Sequence, residues 1–197
     1  MNDKTDWIIT DTTVIPLEDG DTAIDNAAIA VENGVISAVG PSADVENRYP
    51  GLERIDGRGN VVLPGFINSH THAPAALNRG IADGWSLELL LNAYPWTGAN
   101  RSLEAKYLSA RIGALEMLQK GCTACYDMAA EIPAPSIEGV HAVARAYADV
   151  GIRAVVAPMM ADTTFYRAIP GLIEAMPAAL REKAEAMRAT PYDVSLA

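Results

Sequence analysis

The sequence predicts an α/β protein in two parts, a small all-β segment over residues 1–63 followed by a parallel sheet covered by helices over residues 64–197. Three observations predict it. Short β-branched runs broken by turn residues fill the first part, and strand-like and helix-like patterns alternate through the second. Half of the 197 residues are apolar and 20% are charged, with 15 Gly and 12 Pro, a composition that builds a core and argues against disorder.

Each element has its own signal. Trp7 to Ile15 is rich in β-branched residues and is closed by Pro16. Ala28 to Glu32 and Val35 to Val39 are apolar runs joined at Asn33-Gly34, the pair that suits a two-residue type I′ hairpin. Asp56-Gly57 and Gly59-Asn60 punctuate the approach to Val61-Val62-Leu63, which Pro64-Gly65 ends. Phe66 to His70 reads as the first strand of the second part, and Ser102 to Lys120 as a helix. Ser102 is its N-cap, Leu108, Ile112, Leu115 and Leu118 form one stripe, and Gly121 stops it. Cys122 to Asp127 is the next strand. Ser136 caps a helix carrying Val140, Val143, Ala144 and Tyr147 that ends at Gly151, before the strand Ile152 to Ala157 and Pro158. Leu172 to Met187 is helical in composition but interrupted by Pro177, and Asp193 to Ala197 has the texture of a fourth strand.

Strand then helix, repeated, gives a parallel sheet, either open or closed as a (β/α)8 barrel. A barrel needs about 250 residues, whereas Gly65 to Ala197 supplies 133, room for three or four of eight βα units. The barrel therefore requires a truncated chain, and the sequence does stop within an apolar strand-like run whose edge would be exposed. Acidic residues outnumber basic ones 25 to 15, which disfavours nucleic acid and anionic lipid as partners. No apolar run approaches the roughly 20 residues that cross a bilayer, and the opening Met1-Asn2-Asp3-Lys4-Thr5-Asp6 is not of signal-peptide type. The expectation is a soluble, cytoplasmic protein without a membrane partner.

The chemistry concentrates in Pro64-Gly65-Phe66-Ile67-Asn68-Ser69-His70-Thr71-His72. Side chains two apart on a strand share a face, so His70 and His72 can reach a common point and suit a metal ion. Imidazole nitrogens bind Zn²⁺ at about 2.0–2.1 Å, and a catalytic site adds further ligands and keeps a position for water, so the pair alone is an incomplete set. It lies at the C-terminal end of a strand opening a βα series, where barrel enzymes carry their chemistry.

The segment Val61 to Pro74, with the Glu32 to Gly40 hairpin before it, resembles the start of the amidohydrolase superfamily, and more narrowly its cytosine/guanine deaminase and triazine chlorohydrolase branch. Leu77-Asn78-Arg79-Gly80-Ile81-Ala82-Asp83, Ala114-Leu115-Glu116-Met117-Leu118 followed by Gly121-Cys122-Thr123, and Gly151-Ile152-Arg153-Ala154 extend the resemblance over nearly the whole length. It implies an α/β fold that is the N-terminal part of a (β/α)8 barrel, preceded by strands of a small composite β-sandwich. It implies one divalent ion, Zn²⁺ or Fe²⁺, with His70 and His72 matching the first two ligands. It also implies hydrolytic deamination or dechlorination of a small N-heterocyclic substrate by metal-bound hydroxide. The family's remaining ligands and its proton-shuttling Glu and His come from later strands, so the catalytic groups are expected beyond residue 197, and the isolated chain is expected to be inactive. A homo-oligomer or the remainder of the same polypeptide would be the macromolecular partner. Two other readings stand beside this one: a non-catalytic half-barrel acting as an assembly module, and a binuclear cyclic amidase of the hydantoinase or dihydroorotase type, which the loop after His72 fits poorly.

Other residues have competing readings. His141, among the apolar residues of its helix, is a packing or surface residue. Cys122 and Cys125, three apart on a strand, should face opposite sides and so pack as small hydrophobes, sharing neither a metal nor a disulfide. Asp127, at the end of its strand, is either a substrate-binding residue at the rim or a loop-capping carboxylate. Trp85 and Trp96 lie in the long connection from Ala73 to Arg101 and are candidate platforms for a planar substrate, or anchors of the loop itself. Arg79 is a salt-bridge residue or a substrate clamp. Branch members acting on adenosine-type substrates carry a Glu near Pro95-Trp96-Thr97-Gly98-Ala99-Asn100; none stands there, which counts against such a nucleoside.

Overall fold

The computed structural model describes residues 6–17, 22–98, 101–132, 134–160 and 163–186 and, within them, every side chain but those of Pro74, Pro95 and Trp96. The chain divides into two units, Met1–Pro64 and Gly65–Ala197. In the first, β1 (Trp7–Val14), β2 (Ile24–Glu32) and β3 (Val35–Pro41) pair antiparallel in the order β3-β2-β1. The β2–β3 turn is Asn33-Gly34, with φ of 53° and 74°, both positive as a type I′ turn demands. β4 (Glu53–Asp56) and β5 (Val61–Val62) add parallel to β1, completing one five-stranded sheet. Both faces of β2 are buried, Ala28 and Ala30 in one cluster with Ile8 and Val45, Ala27, Ile29 and Val31 in another with Val14.

The expectation of an all-β first part needs a correction. A helix, α1 (Ser42–Arg48), follows β3, and its Val45 fills the first of those clusters. Tertiary burial of that one side chain outweighs a segment too short to be helical by itself.

The second unit is built on β6 (Phe66–Thr71), β7 (Cys122–Ala129) and β8 (Arg153–Pro158), parallel and in chain order. The residues 73–101, expected as an open connection, contain a 3-10 turn over Ala73–Asn78 and α2 (Leu87–Gly98). Ser86 Oγ accepts the Leu89 N–H at 3.4 Å, so a capping serine before Leu87-Glu88-Leu89-Leu90 was the available signal, masked by Pro95 inside the run. Two longer helices connect the strands. α3 (Leu103–Gln119) is capped by Ser102, whose Oγ accepts the Ala105 N–H at 3.1 Å. α4 (Ile137–Val150) is capped by Ser136 on the Gly139 N–H at 3.0 Å and closed by Gly151 in the left-handed conformation. Short helices α5 (Phe165–Ala168), α6 (Leu172–Ala175) and α7 (Ala178–Ala186) follow, with Pro177 between the last two. The strand expected over 193–197 lies outside the described residues.

Packing also departs from the expected stripes. Leu108, Ile112, Leu115 and Leu118 are all exposed, and α3 instead buries Ser109, Ala110 and Ala114. The two alanines join Val143, Ala146 and Tyr147 of α4 and Cys125 of β7 in one cluster, because close approach of two helices and a strand favours short side chains. On α4, Val143 and Tyr147 are buried as expected, whereas Ala144 faces out.

Gly65 fixes the entry to β6. A Cβ there would lie 2.2 Å from Thr123 Cγ2, so only glycine lets the two strands start side by side. Thr123 is itself an extra residue: Phe66 pairs with Cys122 and Ile67 with Ala124. That bulge overturns the expectation that Cys122 and Cys125 face opposite ways, since skipping one residue restores the two-residue period and both pack against the same cluster. Both are free thiols, and burial pushes the Cys125 thiol up.

Candidate metal centre

A second slip in the β6–β7 ladder lies at the histidines. Asn68 pairs with Cys125 and Thr71 with Asp127, so β6 carries one residue more than its partner over Ser69 and His70. Bulges next to active sites re-aim side chains, and here Asn68 supports the irregular backbone. Its Oδ1 accepts the His70 N–H at 3.2 Å while its Nδ2 donates to Met117 Sδ on α3 at 3.2 Å.

His70 and His72 meet. Their ring centroids are 4.9 Å apart and their planes stand at 89°. Two nitrogens on one tetrahedral zinc are roughly 3.3 Å apart at the usual bond length, a spacing that rings so placed can supply. Both residues are exposed. The His72 Nδ1 lies 2.8 Å from the Met128 carbonyl oxygen. A carbonyl only accepts, so Nδ1 carries the hydrogen and the neutral ring keeps its lone pair on Nε2. A metal-ligating histidine commonly has this arrangement. The donor chemistry therefore fits a divalent ion. Among the described residues no group of three or more His, Cys, Asp or Glu comes together.

Asp127, paired with Thr71 across the ladder, is fully buried. Its Oδ1 accepts the Ala73 N–H at 3.1 Å and its Oδ2 accepts the Tyr147 hydroxyl at 2.9 Å. Burial pushes its carboxyl up, against the pull of those two bonds. Burial, then the Asp127 charge, raises the Tyr147 phenol as well. Each oxygen thus accepts one protein donor, the bonding that the loop-capping alternative describes.

The other candidates are scattered. Trp85 is exposed at a turn before α2, where its main-chain N–H donates to the Ala82 carbonyl. Trp96 falls within α2, but its side chain lies outside what is described. Arg79 pairs with Glu116 of α3, the salt-bridge alternative, and that pairing raises the guanidinium and lowers the carboxyl. His141 is exposed on α4. Asn68, Ser109, Tyr147 and the Met128 carbonyl were missed in the sequence. Asn68 stands inside the motif and could have been found there, whereas the other three meet the site only through long-range packing.

A family model described as the amidohydrolase family matches residues 61–194, more than half of the chain. The chain belongs to the amidohydrolase family. A second model, an imidazolonepropionase-like composite domain of bacteria, matches residues 27–51, within the five-stranded unit. Among curated amidohydrolase relatives, the 5-methylthioadenosine/S-adenosylhomocysteine deaminase of Symbiobacterium thermophilum is 38% identical over 146 residues, 74% of this chain and 31% of its own length. The 5'-deoxyadenosine deaminase of Methanobrevibacter smithii is 35% identical over 137 residues, 68% of this chain and 29% of its own length. The chain thus spans about a third of the curated relatives it matches.

Solved structures agree on the fold. Atrazine chlorohydrolase of Arthrobacter aurescens TC1 complexed with zinc superposes with a TM-score of 0.65 at 29% identity, covering 77% of this chain and 35% of that one. An adenosine deaminase of Xanthomonas campestris with bound zinc gives 0.62 at 27%, covering 86% and 39%. This amidohydrolase chain has an α/β fold, part of a (β/α)8 barrel with a β-rich unit before it. No helix among the described residues is long and apolar enough to cross a membrane.

Proposed function

We propose that this chain contributes the opening third of a metal-dependent hydrolase that removes an amino group, or a chlorine, from a small N-heterocyclic ring. The meeting of His70 and His72 rings at 4.9 Å carries the reading, together with the His72 hydrogen bond that reserves Nε2. His70 and His72 would hold one divalent ion, zinc by the precedent of the neighbours. When bound, such an ion supplies water acidified to near neutrality. The chain's own part is to present two neutral imidazoles from one bulged strand end. The further ligands and the proton-transfer groups come from the remainder of the polypeptide.

Two ring classes compete. The curated relatives bear the names of deaminases of adenosine derivatives, and this runs against the inference drawn from the missing acid at Pro95 to Asn100. The triazine hydrolase neighbour keeps a non-nucleoside ring in play. The test is metal content and turnover of the full-length protein against 5'-deoxyadenosine-type nucleosides and amino- or chloro-triazines. About one zinc per chain, lost in His70→Ala and His72→Ala, with ammonia or chloride released from one class, is expected. A folded full-length protein that takes up no stoichiometric metal would sink the proposal.

A further inference from the structure

Two consecutive residues of β7 hold the two consecutive residues that follow β6, His72 and Ala73. The Met128 carbonyl accepts His72 Nδ1–H at 2.8 Å, and Asp127 Oδ1 accepts the Ala73 N–H at 3.1 Å. The Ala73 carbonyl is taken as well, by the Ser109 hydroxyl of α3 at 2.9 Å, and Ser109 Oγ in turn accepts the Leu77 N–H at 3.2 Å. Both main-chain polar groups of Ala73 are thus held by side chains from other elements. Residues in loops ordinarily satisfy such groups with neighbouring backbone or with water. The groups that hold Ala73 are buried: Asp127 and Ser109 completely, Tyr147 to 1% exposure and Ala73 itself to 3%. A carboxylate buried this deeply is costly unless it is hydrogen-bonded, and Tyr147 supplies the second bond at 2.9 Å.

From this geometry we infer that Asp127, itself fixed by Tyr147, is a positioning residue for His72. By locking Ala73 against β7 it holds the imidazole one residue earlier on the Met128 carbonyl, so that Nε2 is the nitrogen free to ligate. The inference rests on the reading of His70 and His72 as metal ligands. It adds that the second ligand is oriented by a side chain that never touches it. Ser109 braces the same residue from the opposite side.

The experiment uses the full-length protein with Asp127→Ala, Asp127→Asn and Ser109→Ala, with zinc affinity measured by competition with a chromophoric chelator. Loss of partners that orient metal ligands typically weakens metal binding about 10- to 100-fold, and Asp127→Ala is expected to fall in that range and to shift the visible spectrum of the cobalt(II)-substituted protein. Asp127→Asn keeps an acceptor for the Ala73 N–H and should recover most of the affinity. In the metal-free protein, ¹⁵N imidazole shifts should show His72 as the Nδ1–H tautomer, with Asp127→Ala mixing the tautomers and speeding exchange of that proton. General destabilisation lowers the unfolding midpoint without moving these quantities in folded protein. Folded Asp127→Ala with wild-type zinc affinity and wild-type tautomer overturns the inference. Should Asp127→Ala not fold, Ser109→Ala decides it, because it removes the other side-chain bond to Ala73 while Asp127→Asn retains its acceptor: wild-type tautomer and wild-type affinity in folded Ser109→Ala refute the inference. A wild-type protein that binds no zinc refutes the metal reading instead, and the tautomer comparison still decides the role of Asp127.

Discussion

Replacing Tyr147 by Phe removes one oxygen from the most enclosed polar contact in the second unit. The ring is 1% exposed and its hydroxyl donates to Asp127 Oδ2 at 2.9 Å and also meets the Cys125 thiol, so Phe keeps the packing and deletes both contacts of the hydroxyl, the bond to the carboxylate being the stronger. A hydrogen bond to a charged group contributes about 1.5–3 kcal/mol; about 2 kcal/mol corresponds to roughly a 30-fold change in the unfolding constant. The cost should depend on pH. Burial raises the Asp127 carboxyl in the folded state, so the folded protein binds a proton the unfolded chain has released. Stability then falls as pH rises from the unfolded value through the folded one, and Asp127 contributes no such penalty below both. The missing donor matters most for the ionised form, so the difference between wild type and Tyr147→Phe should be largest at neutral pH. It should shrink as the medium is acidified through the raised pKa, towards the roughly 1 kcal/mol of a neutral bond. Urea unfolding at a series of pH values, followed by circular dichroism with the slope checked for constancy, measures both effects. Equal midpoints at pH 7, or a gap that widens on acidification, would refute the reasoning.

Gly65→Ala should destabilise by about 1–3 kcal/mol, the cost of overpacking, because its Cβ would fall 2.2 Å from Thr123 Cγ2, and Thr123→Gly in the same chain should relieve part of it in thermal melts. Ser136→Ala should cost about 1–2 kcal/mol, at the upper end because Ser136 Oγ both accepts the Gly139 N–H and donates to Glu131. Ser102→Ala, whose cap on Ala105 stands alone, should cost less, as a paired chemical denaturation of the two variants would show. The 197-residue chain by itself should hold zinc far more weakly than the full-length protein and turn over no ring substrate, since two ligands are half of a tetrahedral set. Calorimetric titration and an ammonia-release assay check this directly.

The parts of the fold that were legible in the sequence are those decided locally. Asn33-Gly34 dictates its turn by backbone conformation alone, and Ser102, Ser136 and Gly151 end their helices through bonds reaching no farther than a helical turn. The His-x-His spacing indicated a shared face, and the rings do meet, although through a bulged strand end that simple alternation does not foresee. Illegible were features fixed by distant partners. The Leu108 to Leu118 stripe looked like a core face, but Ala110 and Ala114 are what α4 and β7 admit. The α1 helix exists because Val45 finds Ile8 and Ala30. Asp127 could be read as rim or cap from sequence because its two partners lie 54 and 20 positions away.

Residue 73 shows how a position can be constrained by its main chain while its side chain is almost a bystander. Its methyl group is enclosed, so size is limited, yet glycine or serine would satisfy both Asp127 and Ser109 equally well. Proline alone among small residues would not, having no hydrogen to give. Tolerance at 73 should therefore follow the amide rather than polarity, and a library at this site ought to return small residues of any chemistry, with the imino acid conspicuously missing.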